Sequence, residues 1–163
     1  MRISDEVAHF LNKQGYTVIS TIDEYGYVHN SCKGIINIDV RGHIQLLDLY
    51  KQATHANLKR NPVISLTVVD EHKFIGYSLK GHARIMDKKD IQQDILKAWN
   101  KKISSRLSGR LMKNVKGDRG HAGHPEAILP EPEYIIEMDV DKVIDLAPAD
   151  IGKHDMKRKG EEA

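Results

Sequence analysis

The segment that decides the fold of this chain is Leu46-Leu-Asp-Leu-Tyr-Lys-Gln-Ala-Thr-His-Ala-Asn-Leu-Lys-Arg-Asn-Pro62. It begins as a strand, passes through a polar turn into a short helix, and ends at Asn61-Pro62. Proline has no N–H to donate and disfavours helical geometry in the residue before it, so the helix ends there. The β-branched run Val63–Val69 then predicts another strand.

The turn before this helix is a candidate anion site. The first N–H groups of a helix have no intrahelical acceptor, and the positive end of the helix dipole lies beside them. Lys51 and Thr54 stand at this point, and an ammonium with a hydroxyl suits a phosphate ester. A structural interpretation is also open, in which Thr54 caps the helix and Lys51 is a solvated surface charge.

Length and charge bound the classes of protein that this chain can belong to. It has 163 residues, with 25 Lys and Arg against 23 Asp and Glu. The length predicts one domain over residues 1–150, and the basic segment 151–163 predicts a flexible C-terminal tail. The near balance of charge argues against a nucleic-acid-binding protein, in which basic residues dominate.

The cysteine count and the hydropathy of the sequence indicate the cellular compartment in which the protein works. The single cysteine, Cys32, excludes an internal disulfide and fits a reducing environment. No apolar run approaches the length of a membrane span, and the N-terminus lacks the apolar core of a signal peptide. We therefore expect a cytoplasmic protein without a membrane partner.

The remaining elements read as strands joined by short turns, with helices at the periphery. Ser4 predicts the N-cap of a first helix that ends at Gly15, and Asp87 predicts the N-cap of a later one that contains Trp99. Between Ser104-Ser105 and Met112 the pattern leaves open whether that later helix breaks. The predicted strands cover residues 16–22, 27–38, 43–48, 63–69, 74–86 and 133–146.

The absence of a βαβ rhythm favours an antiparallel arrangement of these six strands. Gly76 and Gly81 lie inside the long strand 74–86, where glycines predict the sharp bends of a small closed barrel. The loop 113–132 and Pro148 frame the last strand. The prediction is a mainly β fold, an antiparallel barrel with peripheral helices.

The order of these elements resembles the FMN-binding split-barrel family, which includes the pyridoxamine 5'-phosphate oxidases. Thr17–Ile22 and the turn after it are similar to the opening hairpin of that family. Residues 48–62 are similar to its phosphate-binding turn, helix and Asn-Pro end. Residues 63–84 and 134–146 are similar to its later strands. The resemblance covers roughly residues 5–147 and implies a six-stranded antiparallel split β-barrel of the FMN-binding type.

The resemblance also implies a cofactor, a partner and a set of site residues. Members are generally homodimers that bind FMN in grooves at the interface, so the implied partner is a second copy of the chain. Lys51 and Thr54 match the phosphate ligands, with Asn57 one turn further on, and Lys33 matches a position that reaches the phosphate or the N1–O2 side of the flavin. The whole implied set is Ser31, Cys32, Lys33, Gly34, Leu47, Asp48, Lys51, Thr54, Asn57 and Tyr77.

The chain departs from the oxidases at several of these positions. Where they carry an Arg on the second strand and an Arg-Lys pair in the phosphate turn, this chain has Cys32 and then Ala53-Thr54. Residues 145–148 offer nothing like their Arg- and Trp-rich terminal strand. Oxidation of pyridoxamine 5'-phosphate is therefore not expected, and no catalytic residue can be named from the sequence.

Three functions remain open at this point. The first is an FMN-dependent oxidoreductase that takes a hydride from a reduced nicotinamide and passes electrons to a small substrate. The second is a carrier or sensor that binds flavin or haem without turnover. The third is a deazaflavin-dependent reductase, which uses the same barrel.

Histidines provide further candidates. His121 and His124 lie close together in a glycine-bearing loop and could bind a metal with Asp118 or Glu126. A solvated loop, or a loop that covers the flavin of the partner, explains them as well, and we predict no metal site. His29 and His55 flank the predicted groove and are candidates for proton donation.

Overall fold

Six antiparallel strands close into a barrel in the computed structural model, which describes residues 1–14, 16–117 and 131–148. Around the barrel the order is β1-β2-β3-β6-β5-β4, and β1 pairs with β4 to complete it. The predicted six-stranded antiparallel barrel is confirmed. The strands are β1 (Thr17–Ile22), β2 (Val28–Ile38), β3 (His43–Asp48), β4 (Val63–Asp70), β5 (Ile75–Asp87) and β6 (Tyr134–Asp145).

Helices α1 (Asp5–Lys13) and α2 (Ala53–Arg60) begin and end largely as their sequences predict. The Ser4 hydroxyl caps α1 by accepting from the Val7 N–H at 3.2 Å. The predicted end at Gly15 lies outside the described residues. Helix α2 ends before Pro62, and Asn61 is extended, as expected for a residue that precedes proline.

Helix α3 (Gln93–Val115) differs from the prediction at its start, and it resolves a point that the sequence left open. Asp87 does not cap it, because β5 runs to Asp87 and a 3-10 turn, Lys88–Asp90, intervenes. The Asp87 carboxylate instead accepts from the Lys51 ammonium at 2.9 Å. The helix also continues unbroken through Ser104-Ser105. None of the helices in the described ranges is long and apolar enough to span a bilayer.

The hydrophobic core has two parts. Inward-facing side chains such as Ile19, Leu66 and Ile136 fill the barrel, with α1 over one end and Leu58 of α2 at the other. The second part lies outside the barrel, where α3 covers β2, β3 and β6 with Trp99 almost fully buried. This packing role for Trp99 agrees with its place in the helical pattern.

Candidate cofactor site

The end of the barrel beneath α2 carries most of the buried polar side chains, whereas the inward-facing side chains elsewhere are mainly apolar. Alternate residues of β1 and β2 point inward here because side chains on a strand alternate between its two faces. Buried polar groups need partners, and most of the polar side chains at this end make a specific contact. Five inward-facing polar residues of the strands make side-chain contacts at this end, namely Thr21, Ser31, Lys33, Asp48 and Tyr134.

Asp48 is the centre of the polar end. The Lys33 Nζ lies 2.6 Å from its Oδ2, and the Tyr134 Oη donates to the same oxygen at 2.5 Å. Burial, followed by the hydrogen bond to Asp48, raises the pKa of the Tyr134 phenol. The phenol therefore keeps its proton at neutral pH and acts as a donor. Two donors thus converge on one oxygen of a carboxylate that is almost fully buried.

Helix α2 closes this end with two buried polar residues. Thr54 and Ser31 share a hydrogen bond of 2.9 Å between their hydroxyls, and the Asn57 amide donates to the Thr21 hydroxyl at 3.0 Å. Thr54 lies one residue inside the helix, whose N-cap is Gln52. Thr54 is therefore not a helix cap, and Asn57 is directed into the barrel rather than toward the surface.

The start of α2 supplies the exposed part of the site. Gln52 makes no capping hydrogen bond through its side chain, so the first N–H groups of α2 have no acceptor from that residue. Lys51 stands beside them, two-fifths exposed, and its ion pair with Asp87 raises the pKa of the ammonium. Backbone donors and a cation therefore meet at one point of the surface.

His55 adds a polar atom that has no partner among the described residues. Its Nε2 is buried and makes no hydrogen bond. The ring meets the Tyr134 ring edge-on, with centroids 4.8 Å apart. Burial, together with the charges of Lys59 and Lys51, lowers the pKa of the imidazole, so His55 is neutral near pH 7.

The structure does not bring every predicted site residue to this end. Tyr77 lies at the opposite end of β5, where it packs edge-on against Phe10 with the ring centroids 5.3 Å apart. Ten residues of strand separate it from Asp87, roughly 30 Å at the usual rise. Burial raises the pKa of the Tyr77 phenol. Tyr77 is partly buried and packs against the hydrophobic core.

Two other predicted residues lie beneath α3. The Leu47 side chain is buried in the outer part of the core. A Cβ built on Gly34 would meet Arg106 at 3.4 Å and Trp99 at 3.6 Å. Because the Leu47 side chain is buried and Gly34 has none, these two residues can line the predicted flavin groove only with their backbone atoms. Cys32 is exposed on the outer face of β2, beside Val18 of β1.

Sequence reasoning did not identify Tyr134 as part of the site. It is separated from Asp48 by 86 positions, and only the pairing of β3 with β6 makes them neighbours. The other candidate, the His121 and His124 loop, lies outside the described residues. Among the residues that the structure does describe, no three His, Cys, Asp or Glu side chains form a possible metal site.

A closed antiparallel barrel with a polar end beneath a short helix defines a split-barrel protein. The chain belongs to the pyridoxamine 5'-phosphate oxidase family, whose sequence profile matches residues 3–145. No curated protein matches the chain in sequence.

Solved structures agree with this fold. HupZ from Group A Streptococcus is 16% identical, with a TM-score of 0.59 over 88% of this chain and 94% of that one. An FMN-binding protein from Syntrophomonas wolfei is 12% identical, with a TM-score of 0.61 over 86% and 84%. An F420 reductase is 14% identical, with a TM-score of 0.55 over 87% and 98%. At such low identity the likeness shows the fold alone.

Proposed function

We propose that this protein binds FMN at the α2 end of its barrel and acts as an oxidoreductase that passes a hydride or electrons to a small substrate. The observation that carries the proposal is the start of α2, which has no side-chain cap and stands beside Lys51 at the polar end of a split barrel. Membership of the family supports the same cofactor.

The residues present fit a phosphorylated flavin. Its phosphate dianion needs several donors, and the first N–H groups of α2 together with the Lys51 ammonium supply them. Ser31 and Thr54 keep β2 and α2 in contact behind these donors. The flavin would supply the redox chemistry, and the chain would supply orientation and exclusion of water.

We also propose that the active form is a homodimer. On the outer face of β1, β2, β4 and β5, the residues that pair across the strands form two adjacent rows of mostly short, uncharged side chains. These are Cys32, Val18, Thr67 and Ser78 in one row and Asn30, Ser20 and Ser65 in the next, which ends on β5 at Lys80. In a chain with 29% charged residues, a patch whose only charge lies at its β5 edge supports contact with a second copy.

The first experiment is the absorption spectrum of the protein as isolated, followed by titration with FMN. We expect a flavin spectrum and saturable binding. A Soret band would instead favour haem, and selective binding of F420 would favour the deazaflavin alternative. No affinity for any flavin nucleotide would contradict the proposal.

The second experiment tests the residues. We expect Lys51→Ala with Thr54→Ala to weaken FMN binding by about 2–4 kcal/mol, because both remove support from the phosphate site. Lys142→Ala on exposed β6 is the matched control, with no expected loss. If the double variant binds FMN as tightly as the wild type, the phosphate does not bind at the start of α2.

Turnover separates an enzyme from a carrier. Mixing the FMN-bound protein with NADH or NADPH, without and with a quinone, should bleach the flavin and then restore its colour. Bleaching at the rate of free flavin would contradict the oxidoreductase and leave a protein that only binds the cofactor.

A further inference from the structure

We infer that Asp48 is an internal counter-anion for Lys33, which holds that ammonium inside the barrel end and masks its charge from an anionic ligand. Asp48 and Tyr134 are then positioning residues for the site, and Lys33 is a cation whose attraction for the ligand they control. This inference rests on the proposed function, because the ligand whose binding it describes is the flavin.

The geometry of the pair carries the inference. The Lys33 side chain is 12% exposed and the Asp48 side chain 5%, with 2.6 Å between Nζ and Oδ2. Tyr134 donates to the same Oδ2 and fixes the carboxylate from the opposite strand. The second oxygen, Oδ1, has one long contact, 3.4 Å from the Tyr50 N–H at the turn before α2. The carboxylate therefore has Lys33 on one side and, on the other, the turn before α2 that forms the candidate anion site.

The position of Lys33 links it to the proposed site. On the inward face of β2 it lies two residues from Ser31, which contacts Thr54 at the start of α2. Among the described inward-facing strand positions, Lys33 is the one lysine or arginine. If it were unpaired, its charge would act on any anion at this end through a low-dielectric interior.

The pair is not needed merely to fill the barrel. A buried ion pair often stabilises a protein no more than apolar side chains of similar volume, whereas removal of one partner leaves a buried charge uncompensated. Replacement of both partners by neutral amides keeps the shape of Asp48, shortens Lys33 and leaves no unpaired charge. These properties allow the charge of each residue to be tested separately.

The test is a cycle of three variants with FMN titrated against each. In Asp48→Asn the Lys33 charge is uncovered, and we expect FMN to bind at least tenfold tighter than to the wild type. In Lys33→Gln the buried carboxylate faces the ligand, and we expect at least tenfold weaker binding. In the double variant both charges are absent, and we expect an affinity within about threefold of the wild type.

Titration with riboflavin, which lacks the phosphate, shows whether the Lys33 charge acts on the phosphate or on the ring of the flavin. If Lys33 acts on the phosphate, Asp48→Asn tightens FMN binding and leaves riboflavin binding unchanged. If it acts on the ring, both ligands gain, and the midpoint potential of the bound flavin becomes more positive because the anionic reduced form is stabilised. Either result supports the inference.

Other results overturn it. If folded Asp48→Asn, checked by circular dichroism, binds FMN no tighter than the wild type, Asp48 does not mask Lys33, although the proposed function stands. If either single variant fails to fold, the double variant decides: a loss of more than tenfold would show that Lys33 already attracts FMN unmasked. If neither the wild type nor any variant binds FMN or riboflavin, the proposed function fails together with the inference.

Discussion

Gly81 shows how a single residue permits the barrel to close. It lies where β5 shifts its register against β6, and a Cβ there would stand 2.0 Å from the Asp139 carbonyl oxygen. Because the obstacle is backbone, a side chain cannot be accommodated by a change of rotamer. We expect Gly81→Ala to lower the free energy of unfolding by about 3 kcal/mol or more, measured by urea denaturation.

Gly109 is the matched control for this substitution. It is an exposed residue of α3, and a Cβ built there meets no atom within 4 Å. Alanine restricts the unfolded chain and favours a helix, so Gly109→Ala should stabilise the protein by about 0.5–1 kcal/mol. Similar losses at both positions would contradict the steric explanation for Gly81.

His55 should make stability depend on pH. Burial lowers its pKa from the ordinary value of 6.5, so the unfolded state binds the proton more tightly than the folded state. The contribution of neutral His55 is therefore complete above pH 6.5 and is lost as the pH falls below that value toward the lowered folded pKa. We expect the urea midpoint to fall between pH 7.5 and pH 5.5, and this fall to be smaller in His55→Gln.

The control for His55 is an exposed histidine. His72 lies in the turn between β4 and β5, so His72→Gln removes an imidazole without altering the polar end. If both variants keep the full pH dependence of the wild type, the loss of stability in acid arises elsewhere.

At the scale of elements, α1 depends on its cap. Ser4 satisfies the Val7 N–H, and Asp5 with Glu6 complements the helix dipole. We expect Ser4→Ala to cost about 1 kcal/mol of stability by thermal or urea unfolding. Ser108→Ala, in the interior of α3, should cost nothing because alanine is the better helix former.

The elements themselves could be predicted where the signals are local. Ser4, the Asn61-Pro62 pair and the β-branched run after it act on adjacent backbone, and each strand was placed within a few residues. Asp87 could not be assigned in this way. Its carboxylate could accept from the start of a nearby helix or from Lys51, which is 36 positions away. The closed barrel brings Lys51 close enough to form the second contact.

The polar end beneath α2 depends on the whole molecule, so its contacts could be predicted from the sequence only in part. Lys33, Asp48 and Tyr134 lie on three strands and meet because β3 pairs with β6 and the barrel closes around them. Ser31 and Thr54 were both predicted, but their mutual hydrogen bond was not. Tyr77 was predicted to lie near the flavin because its strand was expected near the interface, and the structure places it against Phe10, at the end of β5 away from Asp87.

Assembly is also a prediction at the scale of the molecule. Val18 is 40% exposed at the centre of the largely uncharged rows, between Cys32 and Thr67. A carboxylate buried there against a second copy would have no partner, so Val18→Asp should convert a dimer to a monomer in analytical ultracentrifugation. Because the proposed flavin groove lies at the interface, FMN affinity should fall in the same variant.

Val115→Asp provides the comparison. Val115 is 84% exposed at the end of α3 and belongs to neither row, and its substitution should change neither mass nor FMN affinity. A wild type that sediments as a monomer yet binds FMN would place the whole flavin site within one barrel. If the dimer persists in Val18→Asp, the interface lies on another face of the barrel. If the dimer and FMN binding are lost together, the cofactor site depends on the contact between two copies.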